Sequence, residues 1–135
     1  MVYLTRKEHF NAAHKLYKEE WSKEKNDAVF GACANEHFHG HNYELFVTVK
    51  GQPNEETGFV IDAKKLSTLI QEHITTVLDH KNLNTQVAML QNVMPTTENL
   101  AKAIFNTLQP LITECELHCV KLYETENIYA EYFGE

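Results

Sequence analysis

The sequence has no excess of basic residues. Lys and Arg number 12 against 19 Asp and Glu, a formal net charge of −7. Nucleic-acid backbones select basic surfaces, so a general nucleic-acid role is not expected. No apolar run approaches the roughly 20 residues of a membrane-crossing helix, so no membrane partner is expected either. The opening residues MVYLTRKEHF lack the apolar stretch of a secretion signal. Cysteine is scarce and odd in number (Cys33, Cys115, Cys119), which argues against a disulfide framework. The expectation is a cytoplasmic protein. Internal repeats and low-complexity tracts are also missing. The 135 residues fit one domain, 1–135, long enough to bury a core. Histidine, by contrast, is plentiful at eight residues, and this is the first hint of metal chemistry.

Hydrophobic periodicity organises the rest. Residues 2–14 alternate in part, with Val2, Leu4, Phe10, Ala12 and His14 on one parity, as on one face of a strand. Residues 15–30, around Trp21, are charged and read as a loop or a short helix. From His39 to Lys50 the alternation is clean, with His39, His41, Tyr43, Leu45, Val47 and Val49 on one face. Gly51–Gly58 is rich in turn formers. Phe59–Asp62 then reads as a short returning strand. Asp62 can cap a helix carrying Leu66, Leu69, Ile70, His73, Ile74, Val77 and Leu78 at 3–4 spacing. Pro95, Thr96, Thr97 and Glu98 open a second helix, and Pro110 marks its end. Residues 118–125 and 127–133 read as two strands joined by a short turn. The order β-β-α-α-β-β predicts an α+β fold, an antiparallel sheet with both helices on one face.

The chemistry concentrates in Cys33–Tyr43, CANEHFHGHNY. Alternate residues of a strand point the same way, so His39 and His41 can aim two imidazoles at one point. His14 ends the first strand and joins them if the two strands pair. Three imidazoles suit zinc and leave a coordination position open, the catalytic arrangement. His37 has the same parity, and spacing does not exclude it. Cys33 reads as a thiolate ligand, a base or nucleophile, or a small buried hydrophobe. Cys115 and Cys119, with His118 between them, lack a second Cys/His pair and read as structural. Asp79 beside His80 reads either as an oriented proton carrier or as a helix-end histidine answering the dipole. Glu124 has the parity of Val120 and Leu122. A carboxylate on that face needs a partner, such as a ligand with paired N–H donors; a shifted register would instead leave it exposed.

FNAAH (Phe10–His14), C-x5-HGHNY (Cys33–Tyr43), LDHKNLN (Leu78–Asn84), TTEN (Thr96–Asn99) and YET (Tyr123–Thr125) follow a known order and spacing. Over nearly its whole length the chain resembles the 6-pyruvoyltetrahydropterin synthase family. The resemblance implies the tunnelling fold, with a four-stranded antiparallel sheet and two helices on one face. It implies a trimeric barrel, two trimers stacked as a homohexamer, and sites between subunits. It also implies zinc on His14, His39 and His41, with His37 outside the ligand set. Cys33 becomes the proton-abstracting base, and Asp79 and His80 come from a neighbouring subunit. Glu124 holds the amino-pyrimidine edge of a pterin, and Thr96, Thr97 and Glu98 help to seat it. The implied reaction is a zinc-dependent lyase step of tetrahydrobiopterin biosynthesis. It takes 7,8-dihydroneopterin triphosphate to 6-pyruvoyltetrahydropterin by loss of triphosphate. The related 6-carboxytetrahydropterin synthases of queuosine biosynthesis take the same substrate but release acetaldehyde and triphosphate. The six-residue offset from Cys33 to His39 and the DHKNLN and TTEN runs resemble the pyruvoyl enzymes more.

Overall fold

A computed structural model describes residues 1–135. The chain forms strand β1 (Val2–His14), helix α1 (Lys23–Phe30) and strand β2 (His39–Gly51). Helix α2 begins at Ala63–Ile70, passes a π turn at Gln71–Thr75 and closes with Thr76–Leu78. Then come β3 (Lys81–Asn82), α3 (Thr97–Leu108), β4 (Glu116–Thr125) and β5 (Ile128–Tyr132). The sheet order is β3-β1-β2-β4-β5.

The long antiparallel ladder of β1 and β2 pairs Val2 with Gly51 at one end and His14 with His39 at the other. β2 and β4 pair Leu45 with Leu122 and Val47 with Val120, and a bulge lies between Thr48 and Val49. β4 turns directly into β5. Tyr43, Leu45, Val47 and Val49 are fully buried on one face of β2. Leu66, Ile70, Ile74 and Leu78 form the apolar row of α2, and Leu100, Ile104, Phe105 and Leu108 that of α3. These rows meet the sheet in a single core. Burying each such side chain contributes on the order of 2 kcal/mol. Local signals agree with the packing. Asp62 Oδ1 accepts from Lys64 N–H at 2.8 Å and caps α2, and Thr96 Oγ1 accepts from Asn99 N–H at 3.2 Å and caps α3.

Three expectations change. The sheet has five strands and is mixed, not four-stranded and antiparallel, because β3 runs parallel to β1, pairing Ala12 with Lys81 and Ala13 with Asn82. The chain leaving α2 is drawn along this free edge by His80 N–H to Asn11 C=O (2.6 Å) and Leu83 N–H to Ala13 C=O (2.8 Å). A two-residue strand is too short for periodicity to reveal. Phe59–Asp62 is not a strand, since β2 is already paired on both edges and offers it no ladder. Instead Ile61 is buried in the core and Phe59 is exposed. The helices number three rather than two, because residues 23–30 do form α1, capped by Ser22. No helix is long and apolar enough to cross a membrane.

Candidate metal centre and pterin pocket

The end of the β1–β2 ladder builds the site. Because β1 ends on an inward position opposite the start of β2, His14, His39 and His41 come together on the helix-side face. One ligating atom from each lies within 4.8 Å of the others. The rings meet edge to face, with centroids 4.5 Å apart for His14 and His39 and 4.9 Å for His39 and His41.

Each imidazole has its own surroundings. His14 is buried, and its Nδ1 lies 2.8 Å from the carbonyl of Pro95. A carbonyl only accepts, so Nδ1 carries the proton and Nε2 keeps its lone pair. That Nε2 is buried and has no partner. His41 Nε2 lies 3.0 Å from Glu124 Oε1 but off the line of a hydrogen bond, and it too is buried and unpartnered. Burial lowers the pKa of His14, and the hydrogen bond to the Pro95 carbonyl and then the charge of Glu124 oppose this only in part. Burial also lowers His39, assisted by repulsion from His14, and it lowers His41. All three are therefore held neutral, the form that donates to a metal. Buried polar atoms left unpaired are costly, so two orphan imidazole nitrogens within one histidine cluster fit a bound cation.

Glu124 points to this face from β4, as its parity with Val120 and Leu122 predicts. The bulge at Thr48/Val49 lies toward the other end of the β2–β4 ladder, so the register with β2 is undisturbed up to Tyr123, while the β4–β5 ladder shifts between Tyr123 and Thr125. Thr97, nearly buried in the first turn of α3, donates its hydroxyl to Glu124 Oε2. Thr96 spends its hydroxyl as the α3 cap, and Glu98 is exposed beside it. His41, Tyr43 and Glu124 line a cleft of ≈ 550 Å³ with Asn11, Asn42 and Tyr123.

The remaining residues stand apart from the three histidines. Cys33 is half buried in a 3-10 turn, Gly31–Ala34, and lies outside the converging donor group. Asp79 and His80 lie at the β1 edge. Asp79 Oδ1 accepts from Asn11 N–H at 2.9 Å, and Oδ2 is 2.9 Å from His80 Nδ1. Hydrogen bonding from Asn11, then from His80, lowers the pKa of Asp79. His80 has φ 59° and its side chain is 78% exposed. It shares a cleft of ≈ 500 Å³ with Asn11, Gly40 and Asn42 and with His41 of the cluster. The dyad thus lies outside the three-histidine group, at the β1 edge, on a cleft that His41 also reaches. His37 is exposed and outside the cluster, because Phe38 at φ 67° breaks the strand alternation before it reaches His37. The carbonyl of Pro95 is the support that sequence reasoning missed. It is 81 residues from His14, and no local signal announces it.

A mixed sheet carrying neutral imidazoles and a carboxylate at one end, with helices over one face, defines a small-molecule enzyme of α+β class with a site fit for a metal. The sequence matches the family described as 6-pyruvoyl tetrahydropterin synthase over residues 3–135, and the chain belongs to that family, whose members are lyases. The chain is 42% identical over 132 residues to the 6-pyruvoyl tetrahydrobiopterin synthase of Pongo abelii, covering 98% of this chain and 91% of that protein. The structure of the Caenorhabditis elegans 6-pyruvoyl tetrahydropterin synthase superposes with a TM-score of 0.93 at 32% identity, covering 99% of this chain and 96% of that one. The 6-carboxy-5,6,7,8-tetrahydropterin synthase of Bacillus subtilis is more distant, at 30% identity over 92% of this chain and 80% of that protein.

Proposed function

We propose that the chain converts 7,8-dihydroneopterin triphosphate to 6-pyruvoyltetrahydropterin, with loss of triphosphate. The observation that carries this reading is the convergence of His14, His39 and His41 within 4.8 Å, beside a carboxylate on the same face. These three would hold zinc, whose chemistry when bound is Lewis acidity toward the side-chain hydroxyl oxygens of the substrate. Glu124, oriented by Thr97, accepts the paired N–H donors of the amino-pyrimidine edge and fixes the ring. Thr96 and Glu98 shape the same α3 terminus. Cys33 removes the carbon-bound proton as a thiolate. His80, oriented by Asp79, carries protons to and from the side chain.

The exposure of the Asp79–His80 pair at the β1 edge, outside the three-histidine group, supports an assembly in which a neighbouring copy completes each site. We assign that assembly as a homohexamer built from two trimers. A thiolate base must stay reduced, and the cytoplasm keeps it so.

The test is incubation of the zinc-loaded protein with 7,8-dihydroneopterin triphosphate, with products resolved by mass spectrometry. A 6-pyruvoyl product is the expected result. A 6-carboxy product with acetaldehyde would overturn it in favour of the queuosine-type reaction. No turnover at full zinc occupancy would overturn the substrate assignment.

A further inference from the structure

The short stretch after β1 is gripped at three points. Asn84 takes hold of Lys15 with both ends of its amide. Its Oδ1 accepts from Lys15 N–H at 2.9 Å, and its Nδ2 donates to Lys15 C=O at 2.9 Å. This reciprocal pair is a ladder rung made by a side chain, and it continues the β1–β3 pairing past Ala13 and Asn82, where the backbone ladder stops. Next, Leu16 N–H donates to Cys33 C=O at 2.7 Å and ties the Cys33 turn to the strand that ends in His14. Two residues on, Asn26 grips Lys18 in the same reciprocal way. Its Oδ1 accepts from Lys18 N–H at 2.8 Å, and its Nδ2 donates to Lys18 C=O at 3.0 Å. Asn26 sits in α1, the helix that runs into the Cys33 turn, and it is completely buried. Asn84 is itself held by its turn, since its N–H donates to Asn82 Oδ1 at 2.9 Å.

We propose that Asn84 is a positioning residue: by fixing Lys15, it sets where the Cys33 turn stands relative to the three-histidine cluster. The inference rests on the reading of Cys33 as the base. The geometry separates two duties. The histidines are placed by the β1–β2 ladder, to which Asn84 contributes no bond. The cysteine is placed through the 15–18 segment, which Asn84 anchors at the sheet end and Asn26 at the helix end. Asn84 is exposed, so its removal leaves the core intact. Asn26 makes its bonds from a buried position, and removing it would test folding rather than placement.

The experiment compares wild type, Asn84→Ala and, as a control on the same turn, Thr85→Ala, each as the zinc-loaded protein. Site-resolved mass spectrometry follows iodoacetamide labelling of Cys33, with Cys115 as the internal reference. Zinc content and steady-state turnover of 7,8-dihydroneopterin triphosphate are measured beside it. In Asn84→Ala, Cys33 should label at least threefold faster while Cys115 labels as in wild type, with zinc content unchanged. The kcat should fall about tenfold with KM nearly constant, a misplacement effect worth about 1.4 kcal/mol. Thr85→Ala should match wild type throughout. Unchanged Cys33 labelling would overturn the proposal, as would a rise shared equally by Cys115, which would mean general loosening. Labelling and zinc content do not depend on the pterin reaction. A wild-type protein without turnover would therefore refute the proposed function while the labelling still decides the role of Asn84.

Discussion

Replacing His14 by alanine should harm the metal-free protein far more than replacing His39, although both changes remove one of the clustered imidazoles. His14 is 1% exposed, and its Nδ1–H holds the buried Pro95 carbonyl at 2.8 Å. His39 is only partly buried, and its ring, unlike that of His14, holds no backbone carbonyl. Losing His14 strands a buried acceptor, which costs about 1–3 kcal/mol. It also opens a cavity where the ring packed against its neighbours, bringing the total to about 3 kcal/mol. Unfolding entropy near 2.1 cal/mol/K per residue makes each kcal/mol worth about 3.5 °C in a chain of this size. In the presence of a chelator, His14→Ala should melt about 10 °C below wild type and His39→Ala within about 3 °C of it. Differential scanning calorimetry of the two variants measures this directly. Equal losses would refute the reasoning, because they would show that the Pro95 contact contributes nothing to the fold.

Zinc at 100 times its dissociation constant should raise the melting temperature of wild type by about 9 °C, equivalent to about 2.7 kcal/mol, and should leave His39→Ala unmoved. A rise that survives in His39→Ala would place the metal elsewhere. Burial holds His14, His39 and His41 below their ordinary value of 6.5. Between the folded and unfolded values the unfolded chain therefore binds more protons. Metal-free stability should be full above about pH 6.5 and decline as pH falls through it, and a flat urea midpoint from about pH 7.5 to about pH 5.5 would contradict the assignment. Cys33→Ala should keep its zinc and lose turnover; if metal analysis finds the site empty, the cysteine is a ligand and not a base. Thr97→Val removes the donor to Glu124 and should weaken binding of the pterin product about tenfold by titration calorimetry, with zinc content unchanged. An unaltered affinity would separate Glu124 from pterin recognition.

The histidine cluster was legible because each of its members sits on a strand. Period two puts His39 and His41 on one face whatever else the chain does, and β1 ends on the same parity at His14. Glu124 was legible for the same reason, since the register of β4 with β2 is undisturbed up to the adjacent Tyr123. The alternation misleads where the strand stops: Phe38, with its positive φ, lies between His37 and the two residues it seems to match. The apolar look of Phe59–Asp62 misleads differently, because a strand needs a free edge and β2 has none. Even the supports of the legible residues escape local reading. Pro95 meets His14, and Thr97 meets Glu124, only through the packing of α3 over the sheet end.

Cys33, Asp79 and His80 belong to turns, and a turn has no period. Their positions hang on single long-range bonds: Leu16 N–H to Cys33 C=O at 2.7 Å, His80 N–H to Asn11 C=O at 2.6 Å, and Asn11 N–H to Asp79 Oδ1 at 2.9 Å. A motif shows that such residues are adjacent in sequence, but not where they stand in the fold. The same division has an energetic side. A ladder spreads the placement of the histidines over many cooperative bonds, so losing one rung shifts them little. A turn anchored by one or two bonds of about 1 kcal/mol each can move without unfolding anything. Substitutions along β1 and β2 should therefore alter metal binding together with stability, whereas substitution of an exposed turn anchor such as Asn84 should alter turnover with zinc content and stability kept.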